Sequence, residues 1–272
     1  MTDAGQPDAE APPGIDVTTP SIARVYDYAL GGKDNFASDR AALGAVSRLV
    51  PEIVDVGQEN RAGLRRAVRW LVGEAGIRQI VDLGSGLPTA GNVHEIAHEI
   101  APETRVVYVD NDPIVLAHGR ALLADDDRSA VIQADIRDVD QIFSAPEVLR
   151  LIDPGEPFAI LASSILHHLT DSEDPVGVAR ELVARLPSGG YFFVTNFLDD
   201  GDPRARIIED RLLHGGLGTG RFRTPDEQLA CMAGLDLIEP GLVPTNDWRP
   251  DADTPRDSGT HHLNASVLGR KP

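Results

Sequence analysis

The sequence predicts an α/β fold: a mostly parallel, seven-stranded sheet with helices on both faces and an N-terminal helical cap. Short apolar runs alternate with segments of helical periodicity, the pattern of parallel strands joined by crossover helices. The first run closes on Val81-Asp82-Leu83-Gly84-Ser85-Gly86, which delivers an acid and two glycines into a turn ahead of a helix. Glycine there permits a tight bend and lets a ligand approach the backbone. The second run, Val106-Val107-Tyr108-Val109, ends in Asp110, about where a Rossmann-like fold sets an acid against a ribose.

Composition sets the outer limits. A chain of 272 residues can hold one large α/β domain with a sizeable core, and a single domain over residues 20–272 is expected. Its 43 acidic against 25 basic residues leave a formal charge of −18, with no Lys/Arg cluster. Such a surface repels nucleic acid and anionic membranes. Cys231 is the single cysteine and has no intrachain partner. No apolar stretch has membrane-spanning length and no secretory signal opens the chain, so the expected location is cytoplasmic.

Residues 1–19, rich in Pro, Ala, Gly and acids without periodicity, are expected to form a disordered leader. Order is expected from Thr19-Pro20-Ser21, which opens a helix carrying Ile22, Val25, Tyr26 and Ala29 until Gly31-Gly32 stops it. From Arg24 to Phe36, aromatics, charges and glycines interleave instead of segregating by face. Ordinary helix-turn-helix packing accounts for this. So does a cap over residues 20–57 in which Tyr26, Tyr28, Gly32 and Asn35 close over the glycine turn.

Between Gln58 and Ala75, Leu64, Ala67, Val68, Leu71 and Val72 share one helical face, and Gly76 supplies the stop. A strand over Gln79–Leu83 follows, then a helix from Asn92 with Glu95 at capping-box spacing. His94 and His98 lie one turn apart on that helix, but with no third ligand they read as part of its polar face. The second strand spans Arg105–Asp110, and Asp112-Pro113 caps the next helix. The third strand, Ala130–Ala134, delivers Asp135 to the same edge. Phe158–Ala162 is a fourth, buried on both faces, and leads into Ser163 and the pair His167-His168. Asp174-Pro175 starts a helix that ends at Pro187-Ser188-Gly189-Gly190, before a strand over Tyr191–Phe197. Residues 199–223 are polar and glycine-rich, with a short helix near 207–213, and are expected to cover the substrate. Thr224-Pro225 opens a further helix. The last two strands fall at Leu235–Ile238 and Leu263–Leu268, joined by a long connection whose Trp248 either lines the pocket or plugs the core.

The glycine turn departs from the dinucleotide fingerprint, which from Gly84 onward needs glycine at 86 and 89; position 89 is Thr. A tight turn that binds nothing would use the same residues. With Asp82 ahead of the turn and Pro88 inside it, the segment resembles motif I of the class I S-adenosylmethionine-dependent methyltransferases. Joined with Val109-Asp110-Asn111-Asp112-Pro113 and the Arg24–Phe36 stretch, it resembles the actinobacterial S-adenosyl methyltransferase family, formerly a domain of unknown function, from about Pro20 to Gly269.

The resemblance implies a class I methyltransferase fold with S-adenosyl-L-methionine as cofactor, acting on a small-molecule acceptor it does not identify. Asp82, Gly84 and Gly86 are then expected to cradle the cofactor. Asp110 would accept the ribose hydroxyls, as an ionised carboxylate at a strand end can, with Asn111 beside the adenosine. The resemblance sets Asp135 near the adenine amino group and Ser163, His167 and His168 near the transferred methyl. Positioning would supply most of the rate, with His167 or His168 as base only where the acceptor needs one. A non-catalytic S-adenosylmethionine-binding protein and an NAD-linked oxidoreductase are the competing expectations.

Overall fold

A computed structural model describes residues 16–88, 91–124 and 126–272; most of the expected leader, residues 1–15, lies outside them. Three helices open the chain, α1 (Ile22–Ala29), α2 (Ala37–Ser47) and α3 (Ile53–Gly73). Strands and helices then alternate: β1 (Gln79–Leu83), α4 (Val93–Ile100), β2 (Arg105–Asp110), α5 (Pro113–Leu122) and β3 (Ser129–Gln133). Two short helices, α6 (Val139–Ser144) and α7 (Pro146–Leu151), lead to β4 (Ala159–Ser163), α8 (Pro175–Arg185) and β5 (Tyr191–Phe197). The chain ends with α9 (Pro203–His214), α10 (Pro225–Ala230), β6 (Asp236–Leu237), β7 (Val243–Pro244) and β8 (Asn264–Arg270).

The strand order is β3-β2-β1-β4-β5-β8-β6, with β7 also paired to β8. Strands β1 to β5 are parallel, and β8 returns antiparallel to β5. Because β2 and β3 lie on one side of β1 while β4 and β5 lie on the other, the winding reverses between β1 and β4. A crevice opens there at the carboxyl ends of the strands. Alternate strand residues feed two cores. Val81, Val107 and Ile160 pack with Leu182 of α8 on one face, and Ile80, Val106 and Leu161 pack with Leu64 of α3 and Ile96 of α4 on the other.

Where one sixth strand is expected, the sheet has two short pieces, so it carries eight strands. β6 pairs with Gly269 and Arg270, and β7 with Ala265 and Ser266. Glu239-Pro240-Gly241 separates them, and proline has no N–H to continue the ladder. Trp248 belongs to the core: it is fully buried against Phe193, with ring centroids 5.6 Å apart.

A third cluster builds the cap, where Val25, Leu43 and Ile53 pack with Ala205 and Ile208 of α9. α3 begins at Ile53, ahead of the Gln58 start read from periodicity, because Ile53 and Val56 turn toward this cluster instead of the sheet. Asp16 to Thr19 are already held against the cap. The Arg24 guanidinium donates to the carbonyls of Asp16 at 3.1 Å and Thr19 at 2.5 Å, and the Ser38 hydroxyl donates to that of Val17 at 2.7 Å. Among the described residues, no helix is long and apolar enough to cross a membrane.

Candidate functional site

At the end of β1 the backbone enters the left-handed region at Gly84 (φ +64°) and again at Gly86 (φ +67°). The Gly84 N–H donates to the Val109 carbonyl at 2.8 Å, and a Cβ at Gly84 would come within 2.7 Å of the Ile165 side chain. A Cβ at Gly86 would meet nothing within 4 Å, because that backbone faces open space. The Gly86 N–H donates to Asp110 Oδ2 at 2.8 Å, and Asp110 Oδ1 accepts from the Asp112 N–H at 3.0 Å. The turn and the carboxylate therefore frame one site. They line a cavity of about 820 Å³ to which Asp82, Asn111, Asp135 and Ser163 also contribute.

The cap closes this cavity differently from the expectation. Tyr26 lines it, whereas Tyr28 packs against the cap cluster. Gly32 and Asn35 shape the turn around Asp27 instead: Asn35 Nδ2 donates to Asp27 Oδ2 at 2.9 Å, and the Gly32 N–H donates to the Asp27 carbonyl at 2.8 Å. A Cβ at Gly32 would fall 1.9 Å from Asp27 Oδ1, so the glycine is required by the turn itself. Ser21, on the cavity wall, ties the cap to the β2 edge through its hydroxyl, which donates to Asp112 Oδ2 at 2.5 Å.

Comparison with known proteins fits this geometry, for the family model of the S-adenosyl methyltransferases matches residues 8–272. The chain belongs to the S-adenosyl methyltransferase family. A candidate methyltransferase from Thermobifida fusca is 45% identical, with a TM-score of 0.90 over 96% of this chain and 98% of its own. A DUF574 family protein from Streptomyces avermitilis is 39% identical, with a TM-score of 0.90 over 94% and 99%. The N-methyltransferase NodS from Bradyrhizobium japonicum, solved with S-adenosyl-L-homocysteine, shares the fold at 13% identity, with a TM-score of 0.50 over 76% and 85%. No curated protein matches. Fold and family together make the chain an S-adenosylmethionine-dependent methyltransferase.

The methyltransferase buries several ionisable groups in this wall. Burial pushes the Asp82 carboxyl up to about 7, with Arg61 opposing the shift and Asp110 adding to it. Asp110 is also raised, again by burial. Asp135 is held below the usual carboxylate range by Arg137, whose Nε donates to Asp135 Oδ1 at 2.8 Å. His167 is 1% exposed and stacks on Phe197 with ring centroids 4.0 Å apart; burial drives its pKa well down. Burial likewise lowers His168 to about 4. Both imidazoles are thus neutral at physiological pH, not poised near their own pKa as their unperturbed values suggest.

Sequence reasoning missed Asn60, Arg61, Ser164 and Ile165, all on the cavity wall of the methyltransferase. Asn60 Oδ1 accepts from the hydroxyls of Ser163 at 3.2 Å and Thr195 at 2.5 Å, and its Nδ2 donates to the Tyr26 hydroxyl at 2.9 Å. One signal was available: Asn60 lies in helical register with Leu64, Val68 and Leu71, a polar residue on an otherwise apolar face. Ser164 has φ +55°, a strained value for a residue other than glycine, and no local pattern announces it. His94 and His98 hydrogen-bond the Tyr108 hydroxyl and the Thr104 carbonyl, and among the described residues no group of three His, Cys, Asp or Glu could hold a metal.

Proposed function

We propose that this methyltransferase moves the methyl group of S-adenosylmethionine to a small-molecule acceptor held in the same cavity. One observation carries the reading: the open backbone at Gly86 and the Asp110 carboxylate line the same cavity as Tyr26 and the apolar residues of the cap. The cofactor supplies a methyl already activated on a sulfonium. The chain's own residues then have to bind, orient and exclude water.

Asp110 uses one lone pair of each oxygen on Gly86 and Asp112, which leaves others for the ribose diol. Asn111 and Asp135 flank the adenosine end, while Arg61 and Asp82 offer opposite charges to the amino-acid end. Ser163, His167 and His168 border the space beyond. A cavity of about 820 Å³ shared with the cofactor favours a small acceptor, and the charge of −18 disfavours a nucleic acid.

Calorimetric titration tests the assignment. Asp110→Ala should weaken S-adenosylmethionine binding by about 1–3 kcal/mol, the loss of hydrogen bonds to a charged acceptor; unchanged affinity would remove Asp110 from the site. A parallel titration in which NADH binds and S-adenosylmethionine does not would overturn the reading. Labelled methyl groups incubated with cell extract should appear in the low-mass fraction, not in protein or RNA.

A further inference from the structure

Beyond the glycine turn, the cavity is walled by Val25, Leu43, Ile53, Val56, Phe197 and Leu217, which belong to or pack against the cap cluster. The charged side chains that line it are Asp16 and Arg24 around α1, Arg61 on α3, Asp82 and Asp110 at the ends of β1 and β2, and four in the loops after β2, β3 and β4; Arg24 is paired with Asp39, and Arg137 with Asp135 and Glu173. Most of the charge comes from the strand ends and the loops beside the glycine turn, and the lobe walled by the cap cluster is apolar. Burying an unpaired ion there would be costly.

Two imidazoles border this lobe. His167 stacks on Phe197, and His168 contacts Thr219, a near neighbour of Leu217. Hydrogen counting separates them. The Thr219 hydroxyl has one proton and donates it to the His168 carbonyl at 2.6 Å. Its contact with His168 Nδ1, at 3.3 Å, therefore requires the ring nitrogen to be the donor. Neutral His168 then carries its proton on Nδ1 and keeps a bare lone pair on Nε2. At His167 the situation is reversed: Nδ1 accepts from the Phe197 N–H at 3.4 Å, so the proton sits on Nε2.

Resting on the methyltransferase reading above, we propose that the acceptor is an uncharged, largely apolar molecule whose nucleophile carries a hydrogen, a hydroxyl or an N–H. His168 Nε2 accepts the hydrogen bond from that group. Thr219 is a positioning residue that holds the imidazole in the tautomer able to do so.

The full chain, saturated with S-adenosylhomocysteine, is titrated with three probes of one shape: 2-naphthol, 2-methoxynaphthalene and 2-naphthoate. 2-Naphthol should bind, and removing its hydroxyl proton should weaken binding about five- to tenfold, the scale of one hydrogen bond. The carboxylate should bind at least roughly tenfold more weakly than 2-naphthol. His168→Phe should erase the preference for 2-naphthol over its methyl ether, and Leu217→Asp, at a half-buried position in the loop after α9, should weaken 2-naphthol while leaving S-adenosylhomocysteine affinity intact. Nitrogen NMR should show His168 protonated at Nδ1 and bare at Nε2; Thr219→Val should lose that bias and Thr219→Ser keep it. Failure of 2-naphthol to bind, equal binding of 2-naphthoate, or a His168 proton on Nε2 would overturn the proposal. Failure of S-adenosylhomocysteine itself to bind would instead overturn the reading beneath it.

Discussion

Asp82 is held in a state that disfavours the folded chain and suits a cationic ligand. Its carboxyl is raised from 3.8 to about 7, chiefly by burial, so between those values the folded state retains a proton that the unfolded state has released. Its contribution to stability is complete below the lower value and is lost as the pH rises to about 7. Asp82→Asn removes that loss. The variant's Tm should exceed that of the parent at about pH 8, with a smaller gain at about pH 5, as read by thermal melting of the ligand-free chain. S-adenosylmethionine carries a net positive charge, so its affinity for the parent should rise between about pH 6 and pH 8 as Asp82 ionises, and Asp82→Asn should flatten that rise. Gly84 is constrained in the other sense. Alanine there would face both a left-handed φ and the Ile165 side chain 2.7 Å away. Gly84→Ala should cost roughly 1–3 kcal/mol of stability in denaturant titration.

At the scale of elements, a single carboxylate assembles the cap. Asp39 is fully buried, pairs with Arg24 Nε at 2.9 Å, and accepts from the backbone N–H groups of Ser21 at 2.9 Å and Phe36 at 2.8 Å. Asp39→Ala leaves the Arg24 guanidinium buried without that partner, a loss of about 3–5 kcal/mol. Hydrogen exchange should quicken over residues 16–47 while β1 and β4 keep their protection; uniform loosening would show that the cap has no separate stability. The same elements show what was legible in the sequence. Strands β1, β2 and β5 have the predicted bounds because burial on both faces gives each a short, mostly apolar stretch bounded by turn or polar residues. The start of α3 was not legible, since its first turns bury residues against α1 and α2, which no local period encodes. Gly32 and Asn35 carry the same letters whether they grip a ligand or wrap Asp27, and only tertiary structure separates the two. The glycine turn and Asp110 were readable because their spacing is local to one βαβ unit. The Asn60 network was not, because Tyr26, Asn60, Ser163 and Thr195 come from four distant segments.

For the whole molecule, the reversal of winding between β1 and β4 creates the crevice, and the cap built from the first three helices and α9 roofs it. Because Ser21 and Tyr26 border the same cavity as Gly86 and Asp110, a ligand seated there touches sheet and cap together. Binding should then stabilise both as a unit. At a concentration of about one hundred times Kd, S-adenosylhomocysteine should contribute about 2.7 kcal/mol. At roughly 2–4 °C per kcal/mol for a chain of this size, Tm should rise by about 5–10 °C. The distribution of the effect matters more than its size. Exchange protection gained over residues 16–30 in step with residues 84–88 would make the roof part of the cofactor site. Protection confined to the glycine turn would leave the cap serving the acceptor lobe alone, and the Ser21–Asp112 tie would then be a fastening of the fold with no response to the ligand.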